Sequence, residues 1–198
     1  MTGGRALILA GTGMLPEVAE TLVRQGWRVV LPSRRYHPLA VPEARPGTPV
    51  PKRSWRRGSF AQPGGESGRA VWVEASWDRP AELTEKAEAA LAGPVDLLVA
   101  WVHGEYRIEV MRSVERLLAT TASVVEVRPS AEATFGTEPV LPDHPTQLVL
   151  LGTASESDSS QLPSRAEIAE GVMAAVGRAL DGHPASIRQI GLVRPMVR

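Results

Sequence analysis

Cysteine is absent from this 198-residue chain, which excludes a disulfide framework, a thiolate zinc site, an iron–sulfur cluster and a cysteine nucleophile together. Aromatic residues make up 5% of it, and its only tyrosines and lysines are Tyr36, Tyr106, Lys52 and Lys86. An excess of one charge is missing too: 22 basic residues balance 22 acidic ones, so neither nucleic acid nor an anionic membrane is expected as a partner. A small-molecule partner fits better. No long hydrophobic run occurs near the start, where the apolar segment after Arg5 stops at Gly11, too brief for a signal-peptide core or a membrane span. The expected compartment is the cytoplasm. No HExxH or comparable spacing of histidines is present, so no metal site is expected, and there is no G-x-S-x-G elbow or Walker loop. Arginine far outnumbers lysine, and alanine, glycine and proline are plentiful, which points to a GC-rich bacterial source.

What the chain does contain is a repeating alternation. The length suits one compact domain spanning residues 1–198. Ala6-Leu7-Ile8-Leu9-Ala10 is an unbroken apolar run ending at glycine, the mark of a strand buried on both faces. Pro16 then suits a first helical turn, Leu15, Val18, Ala19, Leu22 and Val23 recur at helical spacing, and Gly26 supplies a stop. Trp27–Leu31 is a second strand. Ala70–Glu74, Val95–Val102, Ser123–Val127, Gln147–Leu151 and Ser186–Val193 read as further strands. Helices are expected from Pro80 to the Gly93 terminator, over Glu105–Ala119, and after the Ser164/Glu167 capping box. Residues 36–68, rich in Pro, Gly, Arg and Ser, read as an extended or mobile surface insertion. This rhythm specifies an α/β fold: a doubly wound, Rossmann-type parallel sheet of six to seven strands with helices on both faces.

Gly11-Thr12-Gly13-Met14-Leu15-Pro16 lies between the first strand and its helix, the context in which a glycine fingerprint holds a dinucleotide. Gly11 permits a tight turn, and Gly13 lets the backbone approach a pyrophosphate. The third glycine of the G-x-G-x-x-G pattern is replaced by Pro16, which a first helical turn accepts. At the end of the second strand a ribose 2′-hydroxyl is normally met by an acid and a 2′-phosphate by arginine. Ser33, Arg34 and Arg35 stand there with no acid nearby, so NADP(H) is the expected cofactor. The competing readings are a ligand-free tight turn and a solvated basic turn. An acid on the ribose would be expected of a methyltransferase, and the two arginines oppose it.

These residues resemble the short-chain dehydrogenase/reductase superfamily, in particular atypical short members with a G-T-G-M-L turn. Val73–Pro80 resembles the segment in which an Asp contacts adenine; the resemblance puts Ser76 in that place, with the Trp77 backbone beside it. Asp96–His103 resembles the strand that normally ends Asn-Asn-Ala-Gly, which implies cofactor contacts at Ala100 and Trp101. Val124–Ser130 resembles the strand whose serine orients a substrate carbonyl, and Leu148–Gly152 with Ala166–Val172 resembles the C-terminal part of small bacterial members. A homo-oligomer, dimer or tetramer, follows from the resemblance alone.

The family's chemistry uses a tyrosine as proton donor and a lysine four residues later. This chain has none: Ala40 follows Tyr36 at that spacing, and Val110 follows Tyr106. What could stand in is a cluster at the ends of the fourth and fifth strands, namely His103, Glu105, Tyr106, Arg128 and Ser130. Histidine titrates near neutral pH, so His103 is the candidate proton donor for reduction of a small carbonyl or imine, with Ser130 holding the acceptor atom and Tyr106 beside them. The other reading is a non-catalytic NADP(H)-binding redox sensor or accessory protein, because fold does not fix function.

Overall fold

A computed structural model describes residues 3–36, 38–41, 43–44, 68–131, 136–153 and 162–192. The continuous apolar runs form strands with no polar face, as a sheet covered on both sides requires. The strands are β1 (Arg5–Leu9), β2 (Arg28–Ser33), a two-residue β3 (Glu43–Ala44), β4 (Arg69–Glu74), β5 (Val95–Ala100), β6 (Leu118–Pro129), β7 (Thr146–Leu151) and β8 (Ser186–Ile190). They lie side by side in the order β3-β4-β2-β1-β5-β6-β7-β8, and every neighbouring pair is parallel. The expected Rossmann-type sheet is therefore present, with seven longer strands and one short addition. That addition comes from the 36–68 insertion, where Glu43 and Ala44 pair with Ala70 and Val71. Residues 45–67 lie outside the described residues.

Helices α1 (Gly11–Met14), α2 (Pro16–Arg24), α3 (Pro80–Leu91), α4 (Gly104–Glu115) and α5 (Arg165–Leu180) make the crossovers. Two apolar layers sandwich the sheet. On one face Val18, Leu22, Val172 and Val176 from α2 and α5 pack on Ile8, Val99 and Val149. On the other, Leu83, Ala87, Met111 and Val114 from α3 and α4 pack on Leu7, Val30 and Leu98. Helix α5 opens with the expected capping box: the Glu167 amide donates to the Ser164 hydroxyl, and the Ser164 amide donates to the Glu167 carboxylate at 2.8 Å. Among the described residues no helix is long and apolar enough to cross a membrane.

Helix α4 ends sooner than its apolar pattern suggests, and β6 begins sooner and runs further. Leu117 is recruited by the sheet, its carbonyl accepting the Val95 amide at 2.8 Å, so the strand starts at Leu118 instead of the helix reaching Ala119. The far end of β6 extends through Glu126 and Arg128, which are 1% and 3% exposed. Burying these charges is tolerable because they pair: the Arg128 Nε donates to Glu126 Oε1 at 2.6 Å, and its terminal nitrogens donate to the carbonyls of Glu138 at 2.9 Å and Gly136 at 3.4 Å. The connection that follows, from Ser130 to Pro145, contains only a single 3₁₀ turn among its described residues. Arg128 thus holds an extended segment against the sheet.

A buried pair is far more sensitive to losing one partner than to being formed. Glu126→Leu leaves the Arg128 guanidinium buried without its carboxylate, and we expect a loss of about 3–5 kcal/mol in urea unfolding. An unchanged midpoint would show that the pair contributes nothing.

Candidate functional site

Because all strands are parallel, their carboxyl ends and the loops that follow share one edge of the sheet. β1 and β5 are neighbours there, with β2 and β4 reached to one side and β6, β7 and β8 to the other, which makes the β1/β5 boundary the topological switch point. The expected turn after β1 is tighter than a loop. Gly11–Met14 form one turn of helix directly off the strand, Leu15 breaks it, and α2 starts with Pro16 in its first turn. Leu15 is 1% exposed and belongs to the core under α2, so its side chain anchors the turn, while Met14 is exposed.

Gly13 separates two reasons for a glycine. Its φ is not positive, and a Cβ built on it would meet nothing within 4 Å, so neither backbone conformation nor packing within the described residues demands glycine there. The space above it is open.

Across the ends of β2 and β4 lies a cleft of about 590 Å³, with Gly13, Met14 and Leu15 not among its lining residues. Pro32, Ser33 and Arg34 form one wall, Ala75, Ser76, Trp77 and Asp78 a second, and His103, Glu105 and Tyr106 from the start of α4 a third. Three of its rings cluster: Trp77 meets His103 edge to face with centroids 5.5 Å apart and lies 6.5 Å from Tyr106 at a tilt. Arg34 is exposed, and among the described residues its guanidinium makes no hydrogen bond or close ion pair, the Asp78 carboxylate acting on it only through its charge. Ser33 shapes the arginine turn: its hydroxyl donates to the Arg35 carbonyl at 2.8 Å and accepts from the Trp72 indole at 2.9 Å. Trp72 in turn packs edge to face on Tyr36, centroids 5.6 Å apart.

Asp78 is a cleft residue that the sequence pattern did not single out. The Ser76 hydroxyl, hydrogen-bonded to its carboxylate, holds it below the usual aspartate range, with weaker help from its own amide and from the charges of Arg79 and Arg34. It is ionised at neutral pH, so Arg34 faces one carboxylate across the cleft. The signal available beforehand was an acid two positions beyond Ser76.

The remaining expected site residues are not all brought together. His103 and Tyr106 share the cleft with Arg34 and Trp77, whereas Ser130, half-buried in the 3₁₀ turn after β6, is not among its lining residues. Arg128 faces away from the cleft, into the ion pair with Glu126. Ala100 is 1% exposed, backbone included, so it offers a ligand almost no surface. Trp101 packs against the layer containing α2 and α5, and its amide donates to the Leu9 carbonyl at 2.8 Å, which ties the ends of β1 and β5 together. Gly11 and Thr12 stand in the α1 turn, and their side-chain surroundings lie outside what is described. Among the described residues no three His, Asp or Glu side chains gather as a metal-binding group.

No family model matches the chain, and no curated protein matches it. Solved structures do share its fold. An NADH-dependent reductase, A1-R', complexed with NAD, aligns with a TM-score of 0.57 at 16% identity over 98% of both chains. A protein of Sinorhizobium meliloti 1021 described as a short-chain dehydrogenase/reductase aligns with a TM-score of 0.57 at 12% identity over 96% of both. A protein of Escherichia coli K-12 described as an oxidoreductase aligns with a TM-score of 0.55 at 11% identity, over 93% of this chain and 95% of the other. At these identities the likeness establishes the Rossmann-type fold.

Proposed function

We propose that the chain binds NADP(H) across the carboxyl edge of its sheet and reduces a small carbonyl or imine compound. The observation that carries the binding is Gly13: a glycine needed by neither conformation nor packing, with open space above it, at the turn where the strand order reverses. Amides of the Gly11–Leu15 turn are the donors for a pyrophosphate, and early amides of a helical turn lack partners within it. Arg34, with Arg35 beside it, is the group for a 2′-phosphate, because a guanidinium fork matches phosphate oxygens. The rings of Trp77 and Tyr106 offer the apolar wall that an adenine requires, with the Ser76 hydroxyl at its edge. A cleft of about 590 Å³ is ample for that half of a dinucleotide. The neighbour A1-R' carries NAD on the same fold, which supports a dinucleotide without deciding the phosphate.

When bound, the nicotinamide supplies a hydride to the acceptor. The chain's own part is to hold the acceptor and deliver a proton. His103 is exposed at the end of β5, where its ring can exchange a proton with water, and Ser130 closes the neighbouring strand β6 with a hydroxyl suited to orient a carbonyl oxygen. A second reading, a non-catalytic NADP(H)-binding redox sensor, is favoured by a specific observation. His103 and Tyr106 group with Trp77 and Arg34 and not with Ser130, and no α-helix is described between Ser130 and β7 on which a Tyr and a Lys four residues apart could share a face.

Calorimetric titration with NADPH and NADH tests the cofactor. NADPH should bind more tightly, and Arg34→Ala/Arg35→Ala should weaken NADPH about tenfold or more while leaving NADH nearly unchanged. Equal affinities for both dinucleotides would remove the phosphate assignment. For the chemistry, NADPH oxidation is followed against a panel of carbonyl and imine compounds. His103→Ala should lower turnover about a hundredfold or more with NADPH affinity retained. Binding without turnover of any panel member would favour the sensor.

A further inference from the structure

We propose that a second groove, on the opposite flank of α4 from the dinucleotide cleft, binds a small oxyanion, either a carboxylate or a phosphate. The groove runs between α4 and the 136–140 segment, has a volume of about 280 Å³, and is lined by Arg107, Ile108, Arg112, Arg128, Glu138 and Pro139 among others. It exists because no helix covers this part of the sheet among the described residues, and an extended segment lies there instead.

Three guanidinium groups border it, each in a different state. Arg128 forms a fixed floor: it is 3% exposed and is locked by Glu126 Oε1 and by the carbonyls of Gly136 and Glu138. A pre-oriented cation loses little freedom when a ligand arrives. Arg107 forms a half-buried wall, with its Nε 3.5 Å from the same Glu126 oxygen. Arg112, one helical turn beyond Ile108, is exposed, and among the described residues it has no hydrogen-bond or ion-pair partner. It is the group available to grip a ligand. Ile108 and Pro139 add apolar wall beside the charges.

The size and the rim select the ligand. A groove of about 280 Å³ takes a compound of a few heavy atoms. The exposed carboxylates of Glu109 on α4 and Glu138 beside the groove repel an extended polyanion passing over it. The inference does not depend on the dinucleotide reading, since α4 separates the two clefts and they share no lining residue.

The test is calorimetric titration with inorganic phosphate and, separately, with malonate, at ionic strength matched with sodium chloride. Arg34 and Arg35 are themselves assigned to a phosphate, so the titrations use the Arg34→Ala/Arg35→Ala protein. We expect one of the two probes to bind with a dissociation constant of about 1 mM or tighter, and adding Arg112→Gln to weaken it about tenfold or more. The probe that binds identifies the source as phosphate or carboxylate. Arg112 is exposed, so the variant should keep the parent's circular dichroism and unfolding midpoint. No heat above the chloride control with either probe, or equal affinity with and without Arg112, would overturn the assignment.

Discussion

The direction of the strands governs everything else in this protein. A sheet in which every neighbour is parallel must send every strand-end loop to one edge, so the residues that close β1, β2, β4, β5 and β6 converge without any need for proximity in sequence. That convergence lets Gly13, Arg34, Trp77 and His103, which span the first half of the chain, border one region. It also divides that region. The residues ending β2 and β4 meet the start of α4 in one cleft, while the ends of β6 and β7 lead into residues 132–135 and 154–161, outside the described part of the chain.

Much of this was legible in the residues themselves. Buried parallel strands show as unbroken apolar runs, and β1, β2, β4, β5 and β7 stand within a residue or two of where those runs lie. Pro16 and the Ser164/Glu167 box marked helix starts because each supplies a local chemistry that only a helix start uses. Less was legible where one residue satisfied two patterns. Leu117 and Leu118 fit both the inner face of α4 and the start of β6, and only the carbonyl of Leu117 meeting Val95 decides between them. Arg128 reads from the sequence as one of the strand-end cluster, yet it and Glu126, two residues earlier in the strand, are both buried. They are buried because they pair with each other while Arg128 also donates to the carbonyls of Gly136 and Glu138, a tertiary fact with no local signature.

The site shows the same division. The glycine turn and the arginines could be placed from spacing, whereas the Ser33 hydrogen bonds to Trp72 and Arg35, and the Ser76 hydroxyl on Asp78, depend on β2 and β4 lying side by side. The connection after Ser130 is, among its described residues, an extended segment held by Arg128. The same segment opens the arginine groove beside α4.

The central claim is that the backbone at Gly13 is left bare for a pyrophosphate, and Gly13→Val tests it most directly. Since nothing in the described protein outside the turn's own backbone lies within 4 Å of a Cβ built at Gly13, the account predicts an unfolding free energy within about 0.5 kcal/mol of the parent. It also predicts that NADPH affinity, measured by calorimetry on the same sample, falls about a hundredfold or more. A variant that folds normally and binds NADPH as tightly as the parent would contradict it.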